Sequence, residues 1–152
     1  MAKARKTARQ KLEDPRPREI VADRRSGGRL LIPRPLDIDA AVRRIGEGRL
    51  ATVNQIRDRL AHDFDADSTC PMCTGMFLRF VAEVAEDDLA QGQAEAAPYW
   101  RVVREDGSLM EKFPGFPEAQ AARLRAEGHA IQPGVGKKPP RVQDVGAHRE
   151  AL

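Results

Sequence analysis

Two cysteines separated by two residues, in the run Cys70-Pro71-Met72-Cys73, form the spacing that most directly suggests chemistry in this chain. A proline between them is favoured in the first turn of a helix, where the dipole and free N–H groups lower a thiol pKa. Redox motifs use this arrangement, although no βαβ pattern surrounds it here. A zinc site would need two more ligands, and the spacing of His62 and His129 matches no common finger. A cysteine-dependent enzyme, redox or alkyl-transferring, is therefore one alternative for this chain.

The helices that would position this pair can be predicted from apolar periodicity. Thr52 is expected to cap a helix whose apolar face carries Val53, Ile56 and Leu60, and Pro71 is expected to begin the next helix. These two helices, separated by a polar loop, fit a helix-turn-helix, although an ordinary helical hairpin has the same periodicity. A further helix is expected from a cap at 37 or 39. The predicted helices span residues 4–12, 37–44, 52–62, 71–85 and 117–127.

A small β wing is expected before the last of these helices. Residues 99–104 are predicted as a strand, Asp106-Gly107 as a turn and Leu109-Met110 as the returning strand. The apolar run Arg29–Ile32 ends at a proline, so it is expected to be extended rather than helical. The tail after residue 131 could form an irregular strand pair or remain loose.

Positive charge is concentrated at the N-terminus. Residues 1–30 carry ten Lys or Arg against four Asp or Glu, a balance of +6, whereas the whole chain has a net charge of +3. A basic arm on a nearly neutral body is typical of proteins that bind a polyanion, most often nucleic acid. Lys3, Arg5, Lys6 and Arg9 would supply non-specific affinity for DNA. The alternative is a solubilising tail.

Length and composition bound the remaining possibilities. A chain of 152 residues with 41% hydrophobic and 32% charged residues is expected to form one domain, here residues 31–130, with an N-terminal arm over 1–30 and an extension over 131–152. The apolar stretches are too short to span a bilayer, and no signal peptide follows the basic N-terminus. We therefore expect a soluble, cytoplasmic, nucleoid-associated protein.

A second run of residues carries a family resemblance. Ala97-Pro98-Tyr99-Trp100-Arg101-Val102-Val103 is followed in order by Asp106-Gly107, by Gln120 and by Glu127-Gly128-His129. Over residues 37–130 this pattern resembles the DNA-binding domain of the alkylguanine-DNA alkyltransferase family, the methylated-DNA repair proteins. The resemblance implies a mainly α fold with a small β wing, a winged helix-turn-helix. It also implies minor-groove binding and extrusion of an alkylated guanine from the base stack.

The reactive positions of that family are altered in this chain. Pro98 and Arg101 set the frame, which puts Tyr99 at the position of the reactive cysteine and Trp100 at the position of the histidine. A phenol with a pKa of about 10 is a weak nucleophile at neutral pH, and an indole cannot accept a proton. The resemblance therefore implies a protein without catalysis through the usual motif. It is similar to the alkyltransferase-like branch, which binds alkylated DNA without repairing it.

The resemblance also implies which residues contact DNA. The start of the helix over 71–85 would face the groove, and its Met72 stands at the place of the family's intercalating arginine, where an apolar wedge can enter a base step. The residues expected at the groove are Met72, Cys73, Thr74 and Gly75. Those expected to contact phosphates through hydroxyl, amide and helix N-terminal donors are Thr52, Asn54 and Gln55.

A pocket for the extruded base is expected from the motif run. Tyr99 and Trp100 would form its walls, since aromatic faces stack on bases, and Arg101 and Glu127 retain the family's residues. The alternative is that both aromatic residues are ordinary strand residues of a repurposed domain. The expected partners of the monomer are double-stranded DNA and other repair proteins, with no cofactor or metal. A protein-interaction module on the same winged helix is the rival outside the enzymes.

Overall fold

One long helix, α4 (Pro71–Ala90), organises the protein, whose computed structural model describes residues 4–152. Its buried side carries Phe77, Val81 and Val84, which pack in the main core with α2 (Pro35–Val42) and α3 (Val53–Asp63). The spacing of three and four residues returns these side chains to one face of the helix. Within residues 4–152, no helix is long and apolar enough to cross a membrane.

The boundaries of the predicted helices are largely confirmed. Thr52 caps α3, because its hydroxyl accepts a hydrogen bond from the backbone N–H of Gln55 at 3.2 Å. The helix α2 begins earlier than expected, at Pro35, and Asp37 acts inside the first turn, where its carboxylate accepts from the Arg34 N–H at 2.9 Å. The remaining helices are α1 (Ala8–Leu12), α5 (Glu118–Ala126) and α6 (Val145–His148).

The C-terminal end of α4 differs from the prediction. The helix was expected to stop before residues 86–88, because acidic side chains accumulate there, yet it continues to Ala90. Asp88 is buried and accepts a hydrogen bond from Arg9 of α1 at 2.6 Å. Pairing with α1 therefore neutralises a carboxylate in the last turns, where the helix dipole disfavours negative charge.

Much of the segment predicted as a flexible arm has regular structure. Leu12 of α1 is buried against α4. The strands β1 (Glu19–Ala22) and β2 (Arg29–Ile32) form an antiparallel hairpin, and β2 pairs in parallel with β4 (Ser68–Thr69). The extended conformation over 29–32 is thus confirmed, whereas the strand over 19–22 was not predicted within the N-terminal arm. A four-residue edge strand with every side chain exposed carries no apolar alternation that would reveal it.

The region predicted as a hairpin wing is built differently. A 3₁₀ turn spans Tyr99–Arg101, and the short strand β5 (Val102–Val103) pairs in parallel with β3 (Ala51–Thr52). The turn at Asp106-Gly107 is present, but Leu109 donates its N–H to the Pro140 carbonyl at 3.0 Å instead of returning along β5. Pro140 belongs to the C-terminal tail, which forms an antiparallel strand pair, β6 (Ile131–Gln132) and β7 (Arg141–Val142).

Candidate nucleic-acid interface

A cleft of about 420 Å³ opens where the start of α4 meets the start of α3 and the loop that follows β5. The parallel pairing of β3 with β5 brings these segments together, because α3 leaves directly from the end of β3 and the loop leaves from the end of β5. We call this site the cleft. Its lining includes Asn54 and Arg57 of α3, Met72 and Gly75 of α4, and Arg104, Met110, Lys112 and Phe113 of the loop.

The cleft is predominantly positive at its rim. Arg104 and Lys112 are exposed, and Arg57 is partly buried with its guanidinium held by the Thr69 carbonyl at 2.9 Å and the Asn54 side-chain oxygen at 3.2 Å. Glu105 is the one acid among the described lining residues. This balance gives the cleft donors and positive charge that suit phosphate or base acceptors.

The start of α4 presents an apolar side chain to solvent at the mouth of the cleft. Met72 is the second residue of α4, and it is 81% exposed. One turn later, the position of Gly75 is open, since a Cβ there would meet no atom within 4 Å. The groove-facing prediction for Met72 and Gly75 is therefore consistent with the space around them.

Three predicted DNA contacts are turned into the protein. Thr52 and Thr74 are completely buried, and the Thr74 hydroxyl donates to the Cys70 carbonyl at 2.8 Å. The Gln55 amide accepts from the Thr52 N–H at 2.9 Å and donates to the Glu150 carbonyl at 2.8 Å. Burial keeps Thr52 and Thr74 from a phosphate as they stand, which corrects the prediction for these two residues, and the half-buried Gln55 has only one amide N–H left to donate. The threonine followed three residues later by glutamine is the capping-box signal that could have revealed this.

The N-terminal cations lie away from the cleft where the structure describes them. Arg9 pairs with Asp88, which follows Met72 by sixteen residues, about 24 Å of helix rise. Arg5 and Lys6 are exposed just before α1, and Lys3 lies outside the described residues. A contact of these residues with DNA would thus be separate from any contact at the start of α4.

The tyrosine at the family's cysteine position is part of the core. Tyr99 is completely buried, and its ring packs edge-on against Trp100 and Phe113. Its hydroxyl donates to the Glu86 carboxylate at 2.8 Å. Burial, strengthened by this hydrogen bond and the nearby negative charge, raises the pKa of Tyr99 above its ordinary value. The hydroxyl is therefore neutral and inaccessible rather than a nucleophile.

The other predicted pocket residues also satisfy one another. Glu127 accepts hydrogen bonds from the Trp100 indole at 2.7 Å, from the Arg101 guanidinium at 2.9 Å and from the Gly48 N–H at 3.0 Å. Burial alone would raise the pKa of Glu127, but the hydrogen bonds from Arg101, Gly48 and Trp100 hold it below its ordinary value. We call Tyr99, Trp100, Arg101 and Glu127 the motif core.

The prediction that the motif core forms a base pocket is therefore corrected. These side chains hold β5, α5 and the turn after α2 together. The alternative of ordinary strand residues is also corrected, because Tyr99 and Trp100 lie in a 3₁₀ turn. Gln120 extends this role, since its amide accepts from the Met110 N–H at 2.9 Å and donates to the Val102 carbonyl at 2.8 Å. Gln120 thus positions Met110 in the cleft without facing it. The cleft residues Arg57, Arg104 and Lys112 were not predicted, because their only signal in the sequence is their charge beside a predicted helix start and a predicted turn.

The cysteine pair lies at the edge of this site. Cys70 is the N-cap of α4, and its sulfur accepts a hydrogen bond from the Cys73 N–H at 3.2 Å. Both thiols are free and partly exposed. His62 is exposed on α3 and His129 is buried beside His148. Nowhere in residues 4–152 do three metal-ligating side chains lie close enough to hold a metal ion.

The fold of this chain is similar to that of solved alkyltransferase-like proteins. The particular structures that this chain matches are those of S. pombe Atl1 in complex with damaged DNA containing O6-carboxymethylguanine, with a TM-score of 0.54, and of S. pombe ATL in complex with DNA, with a TM-score of 0.55. Each is 14% identical in sequence to this chain, and each match covers 78% of this chain and 94% of the chain in the solved structure. No protein-family model and no curated protein sequence matches the chain. The likeness establishes the fold and confirms the resemblance drawn from residues 97–129 at that level.

Proposed function

We propose that this protein binds duplex DNA and holds an alkylated guanine, extruded from the base stack, in the cleft beside Met72, without transferring the alkyl group. The observation that carries the proposal is the position of the cleft. It lies at the start of α4, in a fold whose representative Atl1 has been crystallised with damaged DNA containing O6-carboxymethylguanine. A cleft with an apolar floor and a positive rim suits a flat base attached to a phosphate backbone.

In this proposal α3 and α4 form a helix-turn-helix, and the strand β5 with the loop after it forms the wing. The loop between Asp63 and Pro71 separates the two helices, and α4 acts as the recognition helix. Its first turn enters the minor groove, where Met72 fills the space that the extruded base leaves in the stack. The exposure of Met72 supports this role, because an apolar side chain gains from leaving water on insertion.

The chemistry of the cleft supports recognition of an O6-alkylated guanine. Alkylation at O6 removes the N1–H donor, so the Watson–Crick edge then presents acceptors at O6 and N1. Asn54, Arg57 and Lys112 place amide, guanidinium and ammonium donors around the cleft. Met110 and Phe113, which also line it, offer apolar contacts for the face of the base and for the alkyl group.

The same geometry supports binding without alkyl transfer. Among the described residues that line the cleft there is no cysteine, and the tyrosine at the family's cysteine position is buried under Phe113 with its hydroxyl on Glu86. Such a protein would act by marking a lesion for other repair proteins.

The test is fluorescence anisotropy with two short duplexes that are identical except for one O6-alkylguanine, measured over a series of salt concentrations. We expect binding of both duplexes at low salt and at least tenfold tighter binding of the alkylated one, about 1.4 kcal/mol. Met72→Ala should weaken the binding of both duplexes. Met76→Ala is the matched control, because Met76 is 40% exposed one turn further along α4 and does not line the cleft.

Each outcome of this experiment decides part of the proposal. Equal, salt-sensitive binding of the two duplexes would contradict lesion recognition and leave a general DNA-binding protein. No binding to either duplex at low salt would overturn the proposal and favour the protein-interaction module. A transferred alkyl group, detected as an increase in the mass of the protein, would contradict the non-catalytic part.

A further inference from the structure

The first turn of α4 holds two thiols in a backbone frame that is anchored on both sides. Cys70 donates its N–H to the Leu31 carbonyl of β2 at 2.9 Å. Its own carbonyl accepts from the Thr74 N–H at 3.1 Å and from the Thr74 hydroxyl at 2.8 Å. These bonds fix the backbone at Cys70. The cysteine side chains can therefore rotate while the first turn of α4 keeps its backbone conformation.

Within this frame the Cys70 sulfur lies against the backbone of Cys73. The Cys70 sulfur lies 3.2 Å from the backbone nitrogen of Cys73, and both side chains are partly exposed. Burial, followed by the hydrogen bond and charge of Cys70, raises the pKa of Cys73 above its ordinary value. Cys73 is thus a thiol that ionises reluctantly, while both thiols can be reached from solvent.

We propose that Cys70 and Cys73 form a reversible modification site that closes to an intrachain disulfide on reaction with a low-molecular-weight disulfide such as oxidised glutathione. A disulfide needs an S–S distance of about 2.05 Å, which rotation of the two side chains can provide at this spacing. The site is separate from the cysteine position of the family motif, which Tyr99 occupies.

The reaction proceeds through two exchange steps. The Cys70 thiolate attacks one sulfur of glutathione disulfide, a bond forms between Cys70 and glutathione, and the first glutathione leaves as a thiolate. The Cys73 thiol loses its proton to solvent and attacks the Cys70 sulfur, so that the second glutathione leaves. Two protein thiols are oxidised and one glutathione disulfide is reduced. Once Cys70 carries glutathione, its thiol no longer raises the pKa of Cys73, which assists the second step.

The modification would reach the cleft through the residues between the cysteines. Pro71 and Met72 both line the cleft and lie inside the ring that the disulfide closes. Closure also moves the Cys70 sulfur, which in the reduced form accepts a hydrogen bond from the Cys73 N–H. The oxidised and reduced forms should therefore differ in how they present Met72. This consequence rests on the proposed function, whereas formation of the disulfide does not.

The first test uses the full chain in buffers with a range of reduced to oxidised glutathione ratios, followed by a thiol-alkylating reagent and measurement of the intact mass. We expect two alkylated thiols in reducing buffer and none in oxidising buffer, with both lost together and no glutathione retained. Two thiols that remain alkylatable in oxidising buffer, or a stable glutathione adduct on the unaltered chain, would overturn the proposal.

Single substitutions test the order of attack. Cys73→Ser should retain one glutathione on Cys70, because the second thiol is missing. Cys70→Ser should react more slowly, because the burial that raises the pKa of Cys73 remains in this variant. Equal reaction rates for the two variants would contradict the assigned order. Circular dichroism of each variant checks that α4 is retained.

The link to the cleft is tested by anisotropy on the reduced and oxidised chain with one duplex. We expect affinities that differ by at least threefold, and a Cys70→Ser/Cys73→Ser double variant that no longer responds to oxidised glutathione. Equal affinities would overturn the link. Failure of the reduced chain to bind DNA would count against the proposed function alone, since the mass measurement contains no DNA.

Discussion

The motif core and the cleft lie side by side, separated by Phe113, which packs on Tyr99 and lines the cleft. In the motif core each charged or polar group has a partner, and the Arg101–Glu127 pair is only 13% and 9% exposed. In the cleft, Arg104 and Lys112 are exposed and Met72 is mostly in solvent. The residues that carry the family resemblance thus hold the fold together, while residues outside the motif form the surface available to a ligand.

This difference separates the two measurable consequences of substitution. A change in the motif core leaves a buried partner unsatisfied, so its effect should appear in the free energy of unfolding. A change on the cleft rim removes a solvated group, so its effect should appear in DNA affinity and salt dependence. A single substitution that changed both the free energy of unfolding and the DNA affinity would contradict this separation of the motif core from the cleft.

The largest effect is expected for Glu127→Ala. It leaves the Arg101 guanidinium and the Trp100 indole without their shared acceptor, and breaking a buried pair of this kind costs about 3–5 kcal/mol. Urea unfolding should show this loss, whereas Glu111→Ala, on the exposed surface, should change stability little. Loss of DNA binding in Glu127→Ala at unchanged stability would return this residue to the binding site.

A smaller loss of stability is expected for Tyr99→Phe. The substitution keeps the ring packing on Trp100 and Phe113 and removes only the hydrogen bond to Glu86, a loss of about 1.5 kcal/mol for a bond to a charged group. The Glu86 carboxylate retains its ion pair with Arg123. DNA affinity, measured by anisotropy at a temperature where both proteins are folded, should stay the same. A tenfold loss would show that the hydroxyl reaches the ligand.

The fold could be predicted from sequence where the signal is local. The cap at Thr52, the start of α4 and the extent of α5 follow from side chains within one helical turn of each other. The hairpin of β1 and β2 could not be predicted, because its exposed edge strand is paired with residues seven to thirteen positions away. The cleft was missed for the same reason. Arg57 and Lys112 are far apart in sequence and meet only because β3 pairs with β5.

The motif residues were located by sequence, but their orientation was not. Tyr99 and Trp100 could be located by sequence in the family pattern, but the pattern does not say which side of the chain faces the base. Their inward orientation depends on acceptors at Glu86 and Glu127, on α4 and at the end of α5. The resemblance therefore predicted a fold of mixed helix and strand like that of Atl1, but it could not predict the burial of Tyr99, because burial is set by packing between distant elements.

A pH dependence of stability is expected from the buried side chain of His129. Both ring nitrogens lack a hydrogen-bond partner among the described residues, and the ring packs edge-on against His148. Burial first, and the charge of His148 second, lower the pKa of His129, with Glu127 opposing. The unfolded chain therefore takes up a proton before the folded chain does, so stability should be complete above about pH 6.5 and should fall as the pH is lowered further.

The measurement is thermal unfolding between pH 5 and pH 8. His129→Leu should flatten the decline below about pH 6.5, because the substituted chain has no proton to bind at that position. His62→Gln is the control, since His62 is exposed on α3 and should leave the decline in place. A decline that persists unchanged in His129→Leu would contradict the assignment to His129, because carboxylates with lowered pKa values, such as Asp37 and Glu127, lose their stabilisation only below about pH 5.

The smallest effect, and the sharpest for the comparison, is expected for Lys112→Gln on the cleft rim. If Lys112 neutralises one phosphate, the slope of log affinity against log salt should decrease in magnitude by about 0.9, with no change in unfolding. Lys6→Gln makes the same change of charge in the segment before α1, at the other end of α4. A smaller slope in Lys112→Gln alone would place the DNA at the cleft. A smaller slope in Lys6→Gln alone would place it on the N-terminal segment, because the two positions differ in location and not in charge. Equal reductions would require DNA to contact both ends of α4, a span of about 24 Å that is shorter than one turn of duplex.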